Sequence, residues 1–305
     1  MAGGDFGKEI KDSRGIVHRA IGWCLELIIE LLVRIVGKRV KRSDAPWLNC
    51  PLGDSVLIGT GIYERIAQEE KLELRRTPAA GLIPDFEVLR GTSFNPDPVH
   101  PRVRHFYEHT AQYQMEAWSE VSLVGKFFLW LLVEFISKRM DQLNFPISPM
   151  EMARGMTSQV IQLVKPETGR SIYTGWLRRL KSSGAVMFAG IYSIARIPAE
   201  DNPVVKVTFP DRGSANVYLV PINHPDGSFG LQSFGREFGG SGFYRLVESG
   251  REHWHVRLFK TLHEQFHVYE DSERFLRTDH TISFLGMTIV RLHYKITPVS
   301  ETATD

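Results

Sequence analysis

The chain has 305 residues, 43% hydrophobic and 24% charged, with a formal net charge of +2. That profile excludes a disordered chain, allows a substantial core, and gives no electrostatic reason to expect a nucleic-acid partner. Two cysteines, Cys24 and Cys50, exclude a disulfide framework and fit a reducing, cytoplasmic setting.

The opening MAGGDFGKEI carries acids and glycines rather than a basic n-region, so no secretory leader is expected. Ile16 to Val40 reads as a helix, with Arg19, Glu26, Glu30, Arg34 and Lys38 on one stripe of an otherwise apolar cylinder. Lys38, Arg39, Lys41 and Arg42 follow it. Two readings suit this pattern. The helix packs in a bundle or a homo-oligomer interface, or residues 16–42 lie on an anionic membrane as a peripheral contact. Spanning is not expected, because Glu26, Glu30 and Arg34 interrupt this run, and Lys126 and Glu134 interrupt 121–136. Prolines and glycines break 44–61, Ile62 to Leu74 reads as helical, and 77–104 reads as an ordered Pro/Gly-rich loop. A second helix is expected from Val103 towards Leu143, with a break near Gly125 and the apolar run Phe127–Val133 at its centre.

From Met156 the period becomes two. Strands are expected at Thr157–Val164, Ile172–Leu180, Val186–Ile197, Val204–Phe209, Ala215–Pro221, Phe229–Phe234 and Phe243–Glu248, separated by turn clusters such as KPETG and HPDGS. A short helix at His253–Glu264 and strands at Phe266–Tyr269 and Leu276–Ile296 complete the series. The expected fold class is α+β: a helical region (1–150) packing on an antiparallel β-barrel or half-barrel (151–297), with a disordered tail (298–305). A helix beside such a sheet is similar to lipocalin-like and helix-grip ligand folds, by fold analogy alone.

Four constellations carry possible chemistry. His263-Glu264-Gln265-Phe266-His267 is a formal HExxH, which on a helix grips zinc with two histidines while the glutamate acts as base. A helix end capped by polar side chains explains the same residues. From HFYEHTAQYQ onward, His105, His109, Tyr113 and Glu116 or Glu120 recur at helical spacing, as a polar stripe over a pocket, a metal pair or a solvated face. In Arg277-Thr278-Asp279-His280, strand alternation puts Arg277 and Asp279 on one face and Thr278 and His280 on the other, either as an acid–base dyad or as an outward ion pair. The β half is also rich in aromatics, Trp176 and Tyr192 among them, as a core or as cavity walls. No Rossmann fingerprint, Walker loop, GxSxG elbow or CxxC pair occurs.

Arg251 to Ile296, through Trp254, Phe259 and the run FLRTDHTISFLGMTIVRLHYKI, resembles a bacterial domain of unknown function. The HFYEHTAQY and RGMTS stretches resemble uncharacterised bacterial proteins. The resemblance implies no activity.

The leading expectation is a protein that encloses an apolar lipid, terpenoid or polyketide-like molecule in its β half. As an enzyme it would be a cofactor-independent cyclase or isomerase. His109, Glu108, Asp279 and His280 are the candidate acid–base residues, with Tyr113, Trp176 and Tyr192 as ligand contacts. The alternatives are a zinc hydrolase using His263, Glu264 and His267, and a non-enzymatic, membrane-associated interaction protein.

Overall fold

A computed structural model describes residues 27–52, 61–121, 155–211 and 213–299. The first turns of the leading helix and the apolar run at 127–133 lie outside them. Helix α1 covers 27–36 and ends at Gly37, where an added Cβ would sit 2.2 Å from the Val33 carbonyl oxygen. The helix expected to reach Val40 therefore stops short. Lys38–Lys41 is instead a strand, β1. Helix α2 (Ile62–Glu69) leads into β2 (Glu73–Arg75), and α3 is Pro101–Glu108.

The expected helix from Val103 to Leu143 needs correction. Beyond Glu108 the chain makes a short turn and enters β3, Tyr113–Val121. Tyr113, Met115 and Ala117 are buried while Glu116 and Trp118 are exposed, which is a strand's alternation. The partner that satisfies its backbone lies far along the chain, in β14.

The later strands fall close to where turn chemistry places them. They are β4 (Met156–Val164), β5 (Ser171–Leu180), β6 (Val186–Ala195), β7 (Val204–Asp211), β8 (Gly213–Asn223), β9 (Phe229–Gln232) and β10 (Gly242–Ser249). The short helix expected at His253–Glu264 is replaced by β11 (His253–Phe259) and the start of β12 (Leu262–Glu270). Buried Trp254, Val256 and Leu258 alternate with more exposed neighbours, and that period of two rules out a helix. Strands β13 (Leu276–Phe284) and β14 (Met287–Pro298) form the closing hairpin.

All pairings are antiparallel. The main path runs β2-β4-β5-β6-β7-β8-β9-β12-β13-β14-β3. Strands β10, β11 and β1 branch from β8 as a wing. At the two ends of the curl β3 comes alongside β4, with no ladder hydrogen bonds between them among the described residues, so the sheet is open rather than a closed barrel. One apolar core lines its inner face, fed by strands from β3 to β14. Residues 80–113 plug one end, where Phe229 packs edge-on against Phe86, Phe94 and Tyr107 at 5.0, 5.6 and 5.2 Å. Outside the wing, buried Lys206 donates to the Trp47 and Asn49 carbonyls at 3.1 and 2.6 Å and pins the 46–49 turn.

Helix α2 covers the outer face of β4–β6. Its Tyr63 is fully buried and donates to the Trp176 carbonyl at 3.2 Å. The ring lies where Gly175 lacks a side chain: a Cβ there would come within 2.2 Å of Tyr63 Cε1. We expect Gly175→Ala to lower unfolding stability by about 1–3 kcal/mol through overpacking. In urea denaturation the cost should shrink when Tyr63→Ala is already present. Strictly additive costs would show that Tyr63 does not rest on Gly175.

Candidate site on the inner face of the sheet

Alternation sends every second side chain of the curled sheet into one interior. Most are apolar, but β5, β6, β12, β13 and β14 each contribute a polar group. They are Arg178, Tyr192, Glu264, His280 and Tyr294. Glu264 is in phase with inward Phe266 and Val268, and its Oε2 lies 3.8 Å from His280 Nε2. The His280 ring stacks on Phe266, its cross-strand partner, with centroids 3.8 Å apart. Trp176 stands between Phe188 and Tyr192 and donates from Nε1 to Ser158 Oγ at 2.8 Å. The Arg178 guanidinium lies over the Trp176 and Phe188 rings.

Burial decides the charge of each group. Removal from water pushes the Glu264 carboxyl up to about 7. The same desolvation, assisted by the Arg178 charge, pushes His280 down to about 3. The Tyr192 phenol is raised, first by burial; Arg178 opposes that rise, and Glu264 and Tyr294 add to it. Near neutral pH, therefore, His280 is a neutral imidazole and Glu264 is divided between acid and carboxylate. At 3.8 Å the two groups are neighbours without a hydrogen bond, and with His280 neutral they are not an ion pair. A fifth of the Glu264 side chain is still accessible although its carboxyl is strongly desolvated. Ile282 and Val121, on the same end of the inner face, are also partly accessible, whereas Phe229 and Leu276 at the plugged end are fully buried.

The candidates read from the sequence are dispersed. His280, Trp176 and Tyr192 meet in this interior. Asp279 points the other way, with Oδ1 2.6 Å from His293 Nδ1 on the outer face. Glu108 caps a turn by accepting from the Phe86 amide at 2.9 Å. His109 contacts the Ala79 carbonyl at 3.3 Å, and Tyr113 OH meets His105 Nδ1 at 2.8 Å. These three residues belong to the plug, and because the helix ends at Glu108 they do not share a helical face.

The HExxH spacing loses its helical meaning because 262–270 is a strand. His263 and His267 are separated by roughly 13 Å of extended chain, too far for one zinc ion with ligands at ~2 Å. His263 Nδ1 contacts the Ser233 carbonyl, His267 Nε2 meets Ser228 Oγ at 2.7 Å, and Glu264 lies on the opposite face. The Ser228 hydroxyl donates to Asp226 at 2.6 Å, so its oxygen accepts from His267 Nε2–H. Among the described residues, no three His, Cys, Asp or Glu side chains cluster as metal ligands.

One residue of the site escapes sequence reasoning, Arg178; Tyr294 belongs to the aromatics of the β half read as core or cavity wall. The signal for Arg178 was present: it is two residues from Trp176 on one strand, hence on the same face.

Comparison with known proteins adds little to this geometry. No family model matches the chain, and no solved structure matches it. It is similar to a Bacillus subtilis (strain 168) protein called "Uncharacterized membrane protein YndJ", with 24% identity over 227 residues. The match covers 73% of this chain and 39% of that protein, so the chain spans about two fifths of its curated relative's length.

Proposed function

We propose that the inner face of the sheet, in a lipocalin-like or helix-grip-like manner, binds an apolar small molecule of lipid, terpenoid or polyketide type, and that Glu264 and His280 exchange a proton with it. The observation that carries this reading is the placement of Glu264: an inward carboxyl 3.8 Å from the His280 imidazole, which stacks on Phe266, with burial raising the carboxyl to about 7. Such a pair suits cofactor-independent isomerisation or cyclisation. The Glu264 carboxylate removes a proton from a carbon next to a carbonyl, and the resulting acid returns it at another position, leaving no net charge.

Two measurements bear on this reading. Native mass spectrometry of the purified chain should show a co-purifying organic mass. A bare protein mass that stays bare after incubation with a lipid extract would count against interior binding. The second measurement is the pH dependence of stability. The folded pKa of Glu264, about 7, lies above its ordinary 4.5. The folded state therefore holds a proton that the unfolded state has released, and Glu264 subtracts stability as pH rises from about 4.5 through about 7. Compared with wild type, Glu264→Gln should gain stability across that window, on the order of 3 kcal/mol in total, and run parallel to it above and below. Parallel curves throughout would show that the carboxyl is solvated.

A second reading, peripheral contact with a membrane, is favoured by α1. Leu31 and Ile35 are 57% and 68% exposed, with Ile28, Leu32 and Val36 also open, and the basic strand β1 follows. No helix among the described residues is long and apolar enough to cross a membrane, so the contact would lie in the interface. The membrane-protein name of the Bacillus subtilis relative agrees with this reading. The chain should float with phosphatidylglycerol-containing vesicles, less so at high salt, and Leu31→Glu/Ile35→Glu should abolish flotation. Undiminished flotation of the double variant would exclude α1 as the contact.

A further inference from the structure

Arg178 is 7% exposed. Its guanidinium carbon lies 4.5 Å from the Trp176 ring centre, 4.7 Å from Phe188 and 5.4 Å from Tyr294. Among the described residues no carboxylate pairs with it, and its buried Nε has no acceptor. Arginine keeps its proton even when desolvated, so it cannot escape the penalty as Glu264 and His280 do by becoming neutral. The three rings offset part of that penalty through their faces. They leave the hydrogen-bonding edge of the fork unsatisfied, and that edge fits the two oxygens of a carboxylate. A second orphan, His280 Nε2, is also buried in this interior. Its neutral ring and the protonatable Glu264 add polarity without adding a permanent negative charge. The surrounding wall is apolar and aromatic.

We propose that the interior ligand is an apolar carboxylic acid whose carboxylate is held by the Arg178 guanidinium, with its hydrocarbon body on the aromatic and aliphatic inner face. This rests on the interior-binding reading and adds the chemical class of the ligand. The aromatic rings cover the flat faces of the guanidinium, so the carboxylate approaches in its plane and engages the fork edge. A buried cation then acquires its counter-ion, and an acid is selected over a neutral molecule of the same length.

The test is calorimetric titration of the full chain at neutral pH with octanoate, methyl octanoate and 1-octanol, and with the matching dodecyl series. Wild type should bind the acid at least roughly tenfold more tightly than the ester or alcohol. Arg178→Met should erase that preference while leaving alcohol binding nearly unchanged, and Arg178→Lys should retain part of it. Acid and alcohol binding wild type equally would overturn the carboxylate seat and leave interior binding standing. A preference that survives in Arg178→Met would also overturn it, by placing the anion elsewhere. Failure of every member of both series to bind would remove the interior-binding reading and the seat with it. Circular dichroism checks that Arg178→Met folds, and the wild-type comparison decides the matter if it does not.

Discussion

The antiparallel ladder from β4 round to β3 is the constraint from which the rest follows. Each strand delivers alternate side chains to the inner face, and the curl makes those faces converge on one volume. A one-residue slip anywhere would turn a strand's apolar set outward, so register is specified along the whole path. β3 matters most in this respect. It comes from the first half of the chain, yet it brings Met115 and Ala117 to the same core as Leu292 and Tyr294 of β14. Helix α2 and the 80–113 plug are fitted to a sheet whose shape is already determined by pairing.

The same rule explains why three polar groups, Glu264, His280 and Arg178, are unusual. An inward polar side chain cannot keep its water, so it must find a partner, lose its charge or meet the penalty. Thr174, Thr278 and Ser158 are small enough for local hydrogen bonding. Glu264 and His280 move towards their neutral forms, in opposite directions on the pH scale and for one cause. Arg178 has only its ring contacts. On the outer face the same residue types are ordinary. Asp279 and His293 sit 2.6 Å apart, each about two fifths exposed, and a pair that wet is worth little.

The second half was readable because its turns are chemically marked and its strands alternate. KPETG and HPDGS separate runs whose bounds differ from the observed ones by a few residues. The errors have one origin, a period mistaken over a short window. HWHVRLF holds too few residues to separate periods of 2 and 3.6 by eye, and its histidines drew attention to helical metal spacing. YQMEAWSEV follows a true helix without a proline or glycine to mark the change. Its partner strand lies about 170 residues on, and a local reading does not contain that information. Alternation correctly put His280 opposite Asp279, but it could not say which of the two faced inward. Glu264 was noticed for a zinc role, although its environment suits proton exchange. Arg178 was hidden because an arginine in a strand is ordinarily a solvated residue. Only the curl of the sheet makes it a buried one.

The charge balance of the interior links the two proposals. Arg178 brings a guanidinium charge into the interior, and His280 is neutral above about 3. Below about 7, Glu264 holds its proton and the interior carries one unbalanced positive charge. Above it, the Glu264 carboxylate supplies an internal negative charge. Both groups act on Tyr192, so they share one field. In the proposed seat, a carboxylate would share this interior with Glu264. Repulsion between the two would favour the protonated form of Glu264, the donor, over the carboxylate that abstracts the proton, so the abstraction step would call for a pH above about 7. On the two proposals together, an acid held by Arg178 would bear on the protonation of Glu264 through the electrostatics of a water-poor interior, without any moving part.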